Sequence, residues 1–228
     1  YVKNTYKFLK ELAEQKRKLI NSKYIAVTGS VGKTTVKAMI AKLLEKFDKT
    51  YSSPKSYNNK YGVPLSLTNM EKNHKFGVFE IGMSKSGEID SLSKIVRPNL
   101  GIITNIAEAH IENFKNIKEI AKSKSEIINN IAQGGSIILN RDDNFYNYLS
   151  GIAKKKKIKV VSFGLNKSSD VYLISQKKYQ NKKIVKLSVF DKVIFLKVKD
   201  INISNILCCL AVIKVLNLEI SKIIKILE

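Results

Sequence analysis

Residues Thr28-Gly29-Ser30-Val31-Gly32-Lys33-Thr34-Thr35 put two glycines, one lysine and four hydroxyls into eight positions. This set of groups suits phosphate. Gly29 and Gly32 permit backbone angles closed to other residues, so peptide N–H groups can turn toward an anion, and a helix starting at once afterwards adds positive potential. Lys33 supplies a cation for β- and γ-phosphates, and the Thr34 hydroxyl suits a magnesium ion bridging them. The match to G-x-x-x-x-G-K-[ST] is partial, because the place of the first glycine is taken by Val27.

Magnesium on a triphosphate keeps several waters and recruits carboxylates. Glu80, which ends the apolar run Phe76-Gly77-Val78-Phe79, stands where strand ends line a ligand crevice; taken alone it reads equally as an ordinary strand-end carboxylate. His110 follows a second such run and reads either as structural or as a metal or phosphate group. Lys124 sits in Ala121-Lys122-Ser123-Lys124-Ser125, and its chemistry alone does not single it out. Tyr57-Asn58-Asn59 ahead of Gly62-Val63-Pro64 reads as a loop, with Pro64 suited to a helix start. His74, in the polar stretch EKNHK, is expected to be exposed, and the adjacent Cys208 and Cys209, in NILCCLAVIKVL, are expected to be small core residues rather than a disulfide or metal site.

These groups need elements to hold them. KYIAVTG reads as a buried strand ending in the glycine loop, and 33–47 repeats apolar residues at helical intervals. A helix is predicted over 5–20 ahead of it. Beyond it the alternation continues with strand 76–81, helix 87–96, strand 99–104, helix 117–131, strand 135–140, helix 143–153 and strand 158–163. Strands separated by helices imply a mostly parallel α/β sheet flanked by helices on both faces. Three short alternating stretches over 170–198 predict a small antiparallel meander, and helices over about 202–217 and 219–227 close the chain.

The 228 residues, 44% of them hydrophobic, can fill a sizeable core. A formal charge of +22 raises the question of nucleic acid, but only three of the 41 basic residues are arginine (Arg17, Arg97, Arg141) and the lysines run along the whole chain. Base readout favours arginine, so a solvated lysine-rich surface is expected, with no nucleic-acid partner; the KKKK run at 154–157 is read as a solvated helix end. No run of about 18 apolar residues occurs, which predicts no membrane insertion and a cytoplasmic protein. The start at Tyr1 and the finish within a helical pattern suggest a piece of a longer polypeptide.

Taken in order, TGSVGKTT (28–35), NNKYGVP (58–64), FEIGMSKSGEI (79–89), NIAEAHIENF (105–114), KSKSEII (122–128) and LNRDD (139–143) resemble the central domain of the Mur ligases over nearly the whole chain. The family's short phosphate loop also lacks the early glycine. The resemblance implies a helical lead-in over 1–22 from an N-terminal domain, a central ATP-binding domain over 23–228, and a C-terminal domain not contained in this sequence. It further implies an ATP- and magnesium-dependent, monomeric ligase that forms an acyl phosphate on a substrate carboxylate and transfers it to an incoming amine. The pairing of NN-x-x-GVP with E-x-G-x-x-x-x-GEI is most similar to the member type that joins D-alanyl-D-alanine to UDP-N-acetylmuramoyl-tripeptide. A folylpolyglutamate-type or other muropeptide ligase is the alternative, and a P-loop ATPase of another class a further one.

Residue by residue, the resemblance assigns Thr28 to Thr35 to the nucleotide, with Lys33 and Thr34 at its phosphates and magnesium, and Glu80 to that magnesium. It assigns His110 to a second magnesium, and Lys124 to a position that is carbamylated in several members and then bridges metal. Asn58 and Asn59 fall near the reacting carboxylate, and Asn140, Asp142 and Asn205 face the base or ribose. Two departures stand out: the family's Gly-Arg-His-Asn run reads Lys199-Asp200-Ile201-Asn202 here, and the asparagine opening the 56–59 loop is Ser56.

Overall fold

A computed structural model describes residues 1–108, 113–199 and 202–228. In chain order it runs α1 (Thr5–Leu19), β1 (Lys23–Thr28), α2 (Lys33–Leu44), β2 (Thr50–Ser52), α3 (Gly62–Thr68), β3 (Phe76–Glu80), α4 (Glu88–Val96), β4 (Leu100–Ile103) and α5 (Ile117–Ser125). A 3₁₀ turn (Glu126–Asn130) then leads to β5 (Ser136–Asn140), α6 (Tyr146–Lys155), β6 (Lys159–Gly164), β7 (Val171–Tyr179), β8 (Lys182–Val189), β9 (Lys192–Val198) and α7 (Ile203–Val215), followed by a second 3₁₀ turn (Ile220–Ile223) and α8 (Ile224–Leu227).

The nine strands among the described residues form one sheet in the order β2-β3-β1-β4-β5-β6-β7-β8-β9. Pairing is parallel from β2 through β7 and antiparallel among β7, β8 and β9. The period of two in the strands divides the apolar residues between two cores. Ile25, Val27, Leu100, Ile102 and Ile138 face α2 and α7, whereas Tyr24, Ala26, Ile103, Ile137 and Leu139 belong to the core beneath α1, α3, α4, α5 and α6. Because β1 lies between β3 and β4, which come later in the chain, the crevice past its carboxyl end is flanked by strands on both sides, the usual place for a ligand in such sheets.

Several expectations need correction. The helix predicted over 33–47 ends at Leu44, where the bonds of Lys46 to Leu43 and Phe47 to Leu44 tighten the last turn. The helix predicted over 117–131 changes to a 3₁₀ turn at Glu126, and the closing helix is a 3₁₀ turn followed by a single α-helical turn. β2, a three-residue edge strand, was not anticipated, and of α3 only a helix start at Pro64 was; Gly62, Pro64 and the β-branched Val63 and Thr68 make it a poor helix on propensity alone, and burial of Val63, Pro64, Ser66 and Leu67 holds it. His74 is buried rather than exposed; its Nδ1 accepts the Glu71 N–H at 2.9 Å and its ring meets that of Tyr51 edge-on. The two cysteines are free and buried in α7, and residues 154–157 are exposed.

Candidate active site

The phosphate loop joins the end of β1 to the start of α2. Gly29 has φ of 147°, and a Cβ there would lie 1.9 Å from Thr104 Oγ1, so only glycine fits against the segment after β4. That segment braces the loop: Ser30 N–H donates to the Asn105 carbonyl at 3.0 Å, Val31 N–H to Asn105 Oδ1 at 2.9 Å, and Thr104 Oγ1 to the Val31 carbonyl at 2.7 Å. Gly32, at φ 84°, opens α2 without a side-chain cap. Among the described residues the first N–H groups of α2 therefore have neither intrahelical partners nor a side-chain cap, the condition an anion satisfies. The buried Thr28 Oγ1 likewise has no hydrogen-bond partner among the described residues. Lys33 Nζ lies across the loop, donating to the carbonyls of Gly29 at 2.9 Å and Ser30 at 3.2 Å. Burial lowers its pKa, with Glu80 acting in the opposite direction.

Glu80, at the end of β3, is 2% exposed. Its Oε2 accepts the Thr34 hydroxyl at 2.8 Å and its Oε1 accepts Asn58 Nδ2 at 2.8 Å. Lys37 Nζ, on α2, lies 3.7 Å from Oε2. A carboxylate and a hydroxyl this close, at the mouth of a phosphate loop, form an oxygen set suited to a hard divalent ion. Among the described residues no group of three or more His, Cys, Asp or Glu side chains gathers to hold a metal by itself. A magnesium held mostly by phosphate oxygens and water needs no such group.

Beside this cluster opens a cleft of about 780 Å³ that brings together Lys33, Asn58, Asn59, Lys124 and the loop 82–88. Asn58 reaches Glu80, while Asn59 Oδ1 accepts the N–H groups of Tyr61 and Gly62 and so caps the start of α3. Lys124 is 3% exposed, whereas Lys122 on the same helix points to solvent. Burial first and the Lys33 charge second bring the Lys124 pKa down to about 7. A second pocket of about 290 Å³, on the other side of the loop, is lined by Gly32, Thr35, Asn105, Asn140, Phe163 and Asn205 among others. Asp142 does not join Asn140 and Asn205 there; its carboxylate accepts the N–H groups of Leu165 at 2.5 Å and Asn166 at 3.0 Å and holds the turn after β6. His110 lies outside the described residues.

Three residues of this neighbourhood were missed in the sequence. Lys37 was legible as a lysine on the row it shares with Ile40, Ala41 and Leu44, the buried side of α2. Ser53, whose Oγ accepts the Glu80 N–H at 3.2 Å, carried no signal of its own. Glu126 was hidden inside a predicted helix; its carboxylate accepts the N–H groups of Gly87 and Asp90 and fixes the loop over the cleft.

The family description "Mur ligase middle domain" matches residues 27–213. Over 177 residues the chain is 37% identical to the UDP-N-acetylmuramoyl-tripeptide--D-alanyl-D-alanine ligase of Rickettsia prowazekii, covering 77% of this chain and 39% of that protein. The crystal structure of MurF from Acinetobacter baumannii superposes with a TM-score of 0.92 at 31% identity, over 100% of this chain and 50% of that one. MurF ligase from Thermotoga maritima, in complex with ADP, superposes with a TM-score of 0.84 at 27% identity, over 98% of this chain and 52% of its own. The chain thus spans half or less of the length of most of these relatives. The matched range carries the phosphate loop, Glu80, the Asn58 loop and Lys124 on a shared architecture, and the chain belongs to the Mur ligase family, whose middle domain it contains.

Proposed function

We propose that this chain is the ATP-binding central domain of a larger cytoplasmic ligase that joins D-alanyl-D-alanine to UDP-N-acetylmuramoyl-tripeptide in building peptidoglycan precursors. The observation that carries this reading is the hydrogen-bonded line Thr34–Glu80–Asn58, which sets a phosphate loop against a cleft large enough for a peptide. The Rickettsia relative bears that activity in its name, and the Thermotoga structure holds ADP.

In the reaction the acceptor carboxylate attacks the γ-phosphorus of ATP, ADP leaves, and the incoming amine displaces phosphate from the resulting acyl phosphate. No protein nucleophile is required. Lys33 and the loop N–H groups hold the phosphates and take up charge that spreads over their oxygens. Thr34 and Glu80 would hold magnesium, which would neutralise part of that charge, and His110 would contribute to holding a second magnesium. Lys124, its pKa brought down to about 7 by burial, would keep a neutral amine fraction able to add carbon dioxide and release a proton, and the resulting carbamate would supply anionic oxygens suited to a metal. Asn58 and Asn59 orient the acceptor carboxylate, and Asn140 and Asn205 meet the nucleoside. Asp142 acts on the nucleoside side only through the turn it holds. The proposed ligase acts as a monomer on small-molecule substrates, without a nucleic-acid partner.

Phosphate release tests the reading in a protein of the relatives' full length built around this chain. MgATP, UDP-N-acetylmuramoyl-tripeptide and D-alanyl-D-alanine are omitted in turn. Release that needs all three is expected. Release indifferent to both co-substrates refutes the ligase, and turnover with a folylglutamate acceptor in place of the muropeptide refutes the substrate.

A further inference from the structure

Lys37 is a nearly water-free cation, 3% exposed, that the reaction above does not use. It stands one helical turn after Lys33 on α2, and its Nζ donates to the carbonyl of Ser53 at 2.7 Å and to that of Lys55 at 3.2 Å. Its third neighbour is Glu80 Oε2, at 3.7 Å. Packing alone does not call for an ammonium at this position, since an apolar side chain of similar size would fill the space without the desolvation cost. What an ammonium adds is two hydrogen bonds that join α2 to the segment leading into the cleft, and a charge beside Glu80.

The far end of that segment is tied separately, the Asn58 carbonyl accepting Gly82 N–H at 2.8 Å and Asn59 Oδ1 accepting Gly62 N–H at 3.0 Å. Ser53 N–H donates to the Val78 carbonyl at 2.9 Å, its Oγ accepts the Glu80 N–H, and three residues past Lys55 the Asn58 side chain reaches Glu80 Oε1. Residues 54–57 are exposed. Glu80 therefore shares its carboxylate between Thr34, on the phosphate side, and Asn58, on the cleft side, while Lys37 clamps the intervening backbone to the helix that the phosphate loop begins. A rearrangement of Thr34 and Glu80 around bound phosphate and metal is mechanically linked to Asn58 and Asn59.

We infer that Lys37 is a positioning residue that couples nucleotide occupancy to the order of the acceptor loop 53–59. The inference rests on the nucleotide reading of the phosphate loop. Coupling of this kind needs an observable, and amide hydrogen exchange of the chain with and without MgADP supplies it. In the unmodified chain MgADP is expected to slow exchange in both 29–35 and 53–59, by roughly threefold or more in the second segment. In Lys37→Met the protection of 29–35 is expected to persist and that of 53–59 to vanish, whereas a merely structural lysine would alter basal exchange and leave the nucleotide effect intact.

Protection of 29–35 with no change at 53–59 in the unmodified chain overturns the coupling and leaves the nucleotide site standing. Equal nucleotide protection of 53–59 in Lys37→Met and the unmodified chain overturns the role of Lys37. No protection of 29–35 in the unmodified chain overturns the nucleotide reading and this inference with it. If Lys37→Met folds poorly, Lys37→Gln takes its place, with loss of the nucleotide effect at 53–59 expected and its persistence overturning the role of Lys37.

Discussion

Lys122 and Lys124 stand two residues apart on α5 in opposite circumstances, one in solvent and one buried near Lys33. A lysine whose pKa falls from 10.5 to about 7 on folding is penalised in its charged form. Between these values the unfolded chain holds the proton and the folded chain does not, so stability rises with pH across the window; the penalty is full below about pH 7 and gone above 10.5. Lys124→Met is therefore expected to stabilise the fold at pH 6, by on the order of 4 kcal/mol, and to lose that advantage toward pH 10. Urea unfolding at pH 6, 8 and 10 checks it, and a difference independent of pH would show that this amine titrates normally.

Residues of this kind were unevenly legible. Lys33 and Thr34 stood out because their neighbours make a phosphate loop, whereas Lys124 owes everything to its burial, which the Lys-x-Lys spacing conceals. His74 was misread because polar neighbours outweighed the local Glu71 contact and the Tyr51 ring that bury it.

At the scale of elements, α4 begins at Gly87, which has φ of 85° and no side chain to cap the helix. Glu126 provides the cap from elsewhere, its Oε1 accepting Gly87 N–H at 2.8 Å and Ser86 Oγ at 3.2 Å, its Oε2 accepting Asp90 N–H at 3.0 Å. A carboxylate at a helix N-terminus also meets the positive end of the helix dipole. Glu126→Ala is expected to cost about 1–2 kcal/mol and to loosen the 84–88 loop that lines the cleft. Chemical denaturation measures the cost, and an unchanged midpoint would show the cap to be idle. The break between α5 and the 3₁₀ turn, which aims Glu126 at α4, could not be read from the sequence, because residues three apart share a face in both kinds of helix. The strand–loop–helix unit around 23–44 was legible because a continuous apolar run, a glycine loop and a helical repeat coincide there.

For the whole molecule, the alternation of strands and helices foretold a parallel sheet clad on both sides, and the meander was foretold as well. Its fusion into one nine-stranded sheet was not, since a period of two says nothing about which neighbour a strand takes. The core beneath α7 contains both cysteines, and burial pushes the Cys209 thiol up to about 12 and that of Cys208 well above its usual value. Neither is expected to react with a thiol reagent at pH 8 faster than the molecule unfolds. Labelling rates measured beside urea unfolding rates check this; fast modification would reveal a local opening over α7.

The junction between β6 and β7 is short, with only Phe163 opposite Val171 and Gly164 opposite Tyr172, and with Asp170 clipped to Ser162 beside it. The meander is also held by the bond from Lys197 N–H to Glu228 Oε1 at 3.1 Å and by apolar contact, since Val185, Leu187, Val189, Leu196 and Val198 share their core with α7. Attraction of that origin weakens on cooling. The hold of the three-stranded ribbon on its neighbours therefore loosens as the temperature falls.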